Sequence, residues 1–182
     1  MTFAITVTGK DQHGIIADLT EALYRSGGNL EDASMTILEG EFAMIFLATL
    51  LSNRLRAQFE KRLKQLEQKR NLVISTQEIK YRLVRGEKHR KGTVPWVVSV
   101  LGKDRAGIVY YISKLLANRK LNITDVNSKI IGKGPKTIYA LVLEVDVPRN
   151  QALISQLKKQ FEKLQKKLKF TVTFKPLESS SF

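Results

Sequence analysis

The chain is written twice. When the sequence is slid 93 positions along itself over residues 9–37, nine of 29 positions are identical: Gly9/Gly102, Lys10/Lys103, Asp11/Asp104, Gly14/Gly107, Ile15/Ile108, Leu23/Leu116, Asn29/Asn122, Asp32/Asp125 and Ile37/Ile130. Unrelated segments would share about two at ordinary residue frequencies. Several mismatches keep their character, such as Ile5/Val98, Leu19/Ile112 and Leu30/Ile123. Further on, the offset drifts to 96 and then 98, as small loop insertions would cause. A unit of about 90 residues is too long for a solenoid repeat and suits a small domain. The chain is therefore expected to fold as a duplicated domain, with one core per copy.

Each copy has the same order of elements. Alternating apolar residues (Phe3, Ile5, Val7; Val98, Val100) predict a first strand. A turn follows, Gly-Lys-Asp-Gln-His-Gly-Ile at 9–15 and Gly-Lys-Asp-Arg-Ala-Gly-Ile at 102–108, and then an amphipathic helix over 14–26 or 107–119. Strands are expected at 29–38 and 42–50, a helix at 54–70 and a strand at 72–80; the second copy repeats them at 122–131, 137–147, 150–168 and 170–174. The order βαββαβ, twice, predicts an α+β fold: two ferredoxin-like sandwiches in tandem, each an antiparallel sheet with helices on one face. Such units can join sheet edges, which hides strands that would otherwise be exposed. The expected division is 1–82, a basic and mobile linker at 83–94, and 95–182.

Composition excludes several functions. The chain has no Cys and two His, far apart, so disulfides, a cysteine nucleophile and a zinc site are not expected. Gly9-x4-Gly14 and Gly102-x4-Gly107 begin like a phosphate-binding loop, but Ile15 and Ile108 stand where that loop needs Lys. No nucleophile and base set is visible, so no catalytic residue, metal or cofactor is expected. The first residues lack a basic, apolar leader and no apolar run is long enough to span a bilayer, so the expected setting is the cytoplasm, without a membrane partner. The net charge of +14 lies wholly in the second half: residues 1–80 carry ten basic and ten acidic side chains, and 81–182 carry 21 and seven. A solvated basic surface and a nucleic-acid contact both fit that asymmetry.

The turn Gly-x-Asp-x-x-Gly-Ile, the helix, and then Gly-Gly-Asn-Leu at 27–30 or Lys-Leu-Asn-Ile at 120–123 resemble the ACT domain, a ferredoxin-like regulatory module that binds amino acids. Two ACT units with nothing attached are similar in architecture to transcriptional repressors of the glycine cleavage type, which act by contacting a transcriptional activator. The resemblance implies a site where the β1–α1 turn of one unit meets the start of β2 in another. Carried over residue by residue, the candidates are Asp11, Gln12, His13, Gly14 and Ile15 with Asn29 and Leu30, and Asp104, Arg105, Ala106, Gly107 and Ile108 with Asn122 and Ile123. The family's turn often has Pro before the second Gly; His13 and Ala106 stand there instead, so the two sites need not share a ligand. Asp11 and Asp104 also suit a helix N-cap, His13 an exposed loop position and His89 an exposed linker position.

The implied function is a non-catalytic sensor of an amino acid, glycine or another, that modulates a transcription factor by protein contact. Direct nucleic-acid binding through the basic half and service as a regulatory subunit of a separate enzyme are the alternatives. A homodimer of chains stays open.

Overall fold

The computed structural model describes residues 1–81, 88–103, 105–134 and 137–177. The chain divides into two compact units, Met1–Leu83 and Val84–Phe182, each taken by itself below.

In the first unit, β1 (Thr2–Lys10), α1 (Ile15–Tyr24), β2 (Asn29–Leu38), β3 (Glu41–Thr49), α2 (Asn53–Arg70) and β4 (Val73–Ile79) form a sheet of order β2-β3-β1-β4. In the second, β5 (Thr93–Lys103), α3 (Ile108–Asn118), β6 (Asn122–Ile131), β7 (Ile138–Pro148), α4 (Gln151–Leu168) and β8 (Thr171–Pro176) form the order β6-β7-β5-β8. All pairings are antiparallel. This is the βαββαβ sandwich expected of each copy.

Alternation along the strands decides which face each sheet buries. Phe3, Ile5 and Val7 of β1 and Phe42, Met44, Phe46 and Ala48 of β3 point under the helices, where Leu19, Leu23, Phe59 and Leu63 meet them. Val98, Val100, Leu141, Leu143 and Val145 play the same part under Ile112, Leu116, Leu157 and Phe161. Trp96 stacks on Phe174 at 4.4 Å between ring centroids, and so belongs to packing.

The two glycines of each turn have separate structural reasons. A Cβ on Gly9 would lie 2.7 Å from a Leu72 methyl, and one on Gly102 would lie 2.7 Å from the Phe170 Cβ, because the strand end presses on the corner after the second helix. Gly14 and Gly107 take left-handed φ of 87° and 97° just before the helix, a region that glycine enters without cost. Both spacings follow from folding alone.

The main departure from the sequence expectation is β5, which begins at Thr93 and runs through Pro95. Pro95 lacks an N–H and suits a loop, but it lies one residue beyond the β8 ladder, which starts at Trp96, and its carbonyl still accepts from the Leu177 N–H at 2.9 Å. The linker residues 83–87, Pro135 of the β6–β7 turn and the tail 178–182 lie outside the described residues.

Candidate functional site

In the first unit the turn is clamped to the end of α2. Gln12 Nε2 donates to the Arg70 carbonyl at 2.9 Å, and Arg70 Nη1 donates to the His13 carbonyl at 3.1 Å. Arg70 also reaches Asp18 at 2.9 Å, and both side chains are about three-quarters buried. Ile15 is a core residue, whereas Asp11 and His13 face solvent. The residue capping α1 is Gly14, with no side-chain hydrogen bond, so Asp11 is not an N-cap and the first amides of α1 face the turn uncapped by a side chain.

Among the described residues of the second turn, none makes a bond like that of Gln12 to Arg70. Tyr111 stands at the position of Asp18, and Lys167 lies over its ring at 5.7 Å. Arg105 and Ala106 are exposed, Gly107 is half-buried and caps α3 without a side-chain bond, and Ile108 is core. Asp104 lies outside the described residues.

The strand-start candidates sit elsewhere. Asn29 pairs with Thr49, which faces Thr2 at the beginning of β1, while Lys10 at the end of β1 faces Glu41. The 9-residue length of β1 therefore separates Asn29 from the turn by about 30 Å. Asn122, opposite Asp146 and Pro95, is likewise at the far end from Lys103. One unit cannot bring its own turn and its own Asn to one small ligand. Leu30 and Ile123 are half-buried and pack against the two cores.

Around each Asn the sequence reading missed a carboxylate. Asn29 Nδ2 donates to Glu31 Oε1 at 3.2 Å, and Thr49 Oγ1 donates to the same oxygen at 2.9 Å. Glu31 is the extra residue of a β-bulge between Leu30 and Asp32. The matching bulge residue in the second unit is Thr124, whose hydroxyl is buried without a partner among the described residues. There the carboxylate comes from the facing strand: Asp146 stands opposite Asn122, whose side chain helps to hold its carboxyl down. The carboxylate and the hydroxyl have traded strands.

Asp146 is 2% exposed although it lies on the sheet face away from the helices. What covers it is the segment before β5. His89 Nδ1 is 2.7 Å from Asp146 Oδ1 and His89 Nε2 is 3.0 Å from Glu144 Oε1; the Arg90 backbone N–H donates to Asp146 Oδ2 at 3.0 Å, and Lys88 Nζ is 3.0 Å from Glu144 Oε2. His89, expected to be exposed, is held between two carboxylates and is 32% exposed. Burial pushes the Asp146 carboxyl up, but the Arg90 N–H, His89 and Asn122 together outweigh burial and hold it below the usual carboxylate value. The visible signal was the pair Glu144 and Asp146 at alternate positions of an otherwise apolar strand.

Asn122 also lines an open groove between α3 and β6, with Tyr110, Ser113, Lys114, Ala117 and Ile123. The groove offers an amide oxygen, hydroxyls and a cation above an apolar floor.

The match to known families follows the same division. ACT-domain models fit residues 1–77 and residues 96–162. The chain belongs to the ACT family, as two domains in tandem. UPF0237 proteins of Pyrobaculum aerophilum and Methanocaldococcus jannaschii are similar to part of this tandem ACT protein. They are each 40% identical, over 72 and 67 residues, spanning 40% and 37% of this chain and 76% and 70% of theirs. Among solved structures, a Galdieria sulphuraria protein shares the fold over 97% of this chain and 98% of its own, at 22% identity and a TM-score of 0.76. A candidate glycine cleavage system transcriptional repressor shares it over 98% of both chains, at 19% identity and a TM-score of 0.69. Among the described residues, no helix is long and apolar enough to cross a membrane, and no group of metal-ligating side chains gathers.

Proposed function

We propose that this tandem ACT protein is a non-catalytic sensor of a free amino acid, and that it passes the signal to a protein partner. ACT domains generally bind amino acids, and both units keep the parts such binding uses. Each has a glycine-capped turn whose helix amides suit a carboxylate, and an Asn beside a carboxylate, Glu31 for Asn29 and Asp146 for Asn122. The first unit carries the reading: its Asn29 amide nitrogen is committed to Glu31, which leaves the Asn29 oxygen, an acceptor, for a ligand ammonium. Since turn and Asn lie at opposite ends of a unit, they count as two separate half-sites.

The proposed ligand contacts are the turn residues Asp11, Gln12, His13 and Gly14, or Asp104, Arg105, Ala106 and Gly107, with Asn29 or Asn122. Ile15, Leu30, Ile108 and Ile123 shape the site from the core side. The proposed partner is a transcription regulator in the cytoplasm, after the candidate repressor whose fold this chain shares end to end. Thermal unfolding with each of the twenty amino acids tests the reading. A ligand at 100 times its Kd stabilises the folded chain by about 2.7 kcal/mol. A shift with one or a few amino acids, lost in Asp11→Ala or Asn122→Ala, is expected; no shift with any of them would sink it.

A further inference from the structure

Because the two units share one fold, the helix face of the first is a control for that of the second. We propose that the α3–α4 face of the second unit binds single-stranded nucleic acid, with Tyr110 and Tyr111 as stacking platforms for bases and Lys114, Lys163 and Lys167 as phosphate contacts. This goes beyond the sensing role proposed above and does not depend on it.

Three observations carry it. In the first unit the groove between α1 and α2 is lined by Asp18 and Glu21 as well as by Arg25, Arg62 and Lys69, and carboxylates answer its cations. Arg25 pairs with Glu21 at 2.7 Å and Arg70 with Asp18 at 2.9 Å. In the second unit, 93 positions on, Tyr111 replaces Asp18 and Lys114 replaces Glu21, and the 11 residues of α3 include no carboxylate. On α4, 98 positions on, Lys167 keeps the place of Lys69, and Lys163 replaces Gln65, another residue that lines the first groove. Among the described residues no lysine of α4 has a carboxylate within ion-pair distance. The same seam has lost its acids and kept its bases.

Second, the tyrosines are exposed, Tyr110 by 60% and Tyr111 by 39%, while Ile108, Ile112 and Leu116 fill the core beneath. Tyr110 stands where the first unit has the exposed Ala17. The two rings meet edge to face at 5.3 Å, and Lys167 Nζ lies 5.7 Å from the Tyr111 centroid, so aromatic and cationic groups alternate across the two helices. Third, an open groove beside Tyr110 has Ala117, Leu121 and Ile123 as an apolar lining and Lys114 among its residues, which suits a flat base with its phosphate at the cation. Lysines alone would take a duplex or an acidic peptide equally well. Exposed rings gain only from bases whose faces are open, as in a single strand.

The test is fluorescence anisotropy of the full-length chain with a labelled 15-nucleotide dT strand at several salt concentrations. Wild type is expected to bind at low salt, more tightly than it binds a duplex or an abasic strand of the same length. Tyr110→Ala should weaken binding about tenfold, the size of one lost base stack, and Tyr110→Phe, which keeps the ring, should restore it. Lys163→Gln with Lys167→Gln should lower the slope of log affinity against log salt by about 1.4, for two phosphates released from a single strand. Arg62→Gln with Lys64→Gln removes two exposed cations of the first unit and should leave the affinity near wild type. No binding at low salt would overturn the inference. So would equal affinity for the abasic strand or the duplex, an unchanged affinity in Tyr110→Ala, or an equal loss in the first-unit pair.

Discussion

Asn122 on β6 and Asp146 on β7 face each other across the sheet, and the Asp146 carboxylate beside the Asn is almost wholly buried, held by His89 and the Arg90 N–H. At the matching place in the first unit, Asn29 faces Thr49 and the carboxylate is Glu31, on Asn29's own strand. The same local result from different residues is hard to attribute to folding alone.

Asp146 links this site to pH. Its carboxyl is held below the ordinary value of 3.8, so its contribution to stability is complete above that value and drains away as pH falls through the lower folded value. Asp146→Asn is expected to remove about 1–3 kcal/mol at neutral pH, because His89 and the Arg90 N–H lose a charged acceptor. Urea melts from pH 2 to 7 check this: the variant should lie below wild type near neutrality and approach it in acid. Parallel curves would contradict it.

The clamp on the first turn gives a second prediction. Arg70→Ala removes the bond to Asp18 and the bond to the His13 carbonyl. An expected loss of about 1–2 kcal/mol exceeds what an exposed ion pair supplies, because this one is largely buried and also orders the turn. A double-mutant cycle with Asp18→Ala should show coupling of about 0.5 kcal/mol or more. Additive losses would mean that the two side chains act separately.

Packing at the turns distinguishes the two copies. The Cβ of Gly102→Ala would meet Phe170 Cβ at 2.7 Å and Phe170 Cα at 3.3 Å, atoms fixed to the backbone. Gly9→Ala would meet a methyl of the buried Leu72 at 2.7 Å, with the Asn71 carbonyl at 3.3 Å and Leu72 Cα at 3.4 Å close by, at a φ of +159°. Both are expected to destabilise, by about 1–3 kcal/mol for an overpacked site. Chemical denaturation of the two variants measures the losses, and wild-type stability in either would contradict the packing account.

The basic half offers a contrast with the sensing reading. Lys158, Lys159, Lys163, Lys166 and Lys167 are exposed along α4. A helix faced this way collects polyanions by counterion release, so any binding to duplex DNA should fall steeply between low and physiological salt, with little preference for sequence. Fluorescence anisotropy at several salt concentrations measures this. Tight, salt-resistant binding would move the function to the basic half.

Much of the fold was legible because it rests on local periodicity repeated twice. The alternation of Phe3, Ile5 and Val7 and the stripe of Phe59, Leu63 and Leu66 each signal one element that the second copy repeats, while the Gly-Gly before Asn29 signals a helix end that the second copy makes with Lys120-Leu121. The boundary of β5 was not legible, since Pro95 suits a loop, and its place one residue beyond the β8 ladder is what lets it stay. The turn residues were visible as a motif. Their contacts were not: Gln12 and His13 meet Arg70 from 57 or 58 residues away in sequence, and His89 meets Asp146 from 57 away, distances over which spacing carries no information. The role of Asp11 as a helix cap was a fair expectation from its type, and the left-handed Gly14 takes that position instead.

The most direct test of the central claim is calorimetric titration of the full-length protein with the amino acids that raise its melting temperature, repeated on Asp11→Ala and Asn122→Ala. The account predicts saturable binding of at least one amino acid, weakened about tenfold or more in one or both variants, with the folded chain otherwise intact. Binding that neither variant alters would place the ligand elsewhere, and no binding of any amino acid would contradict the account.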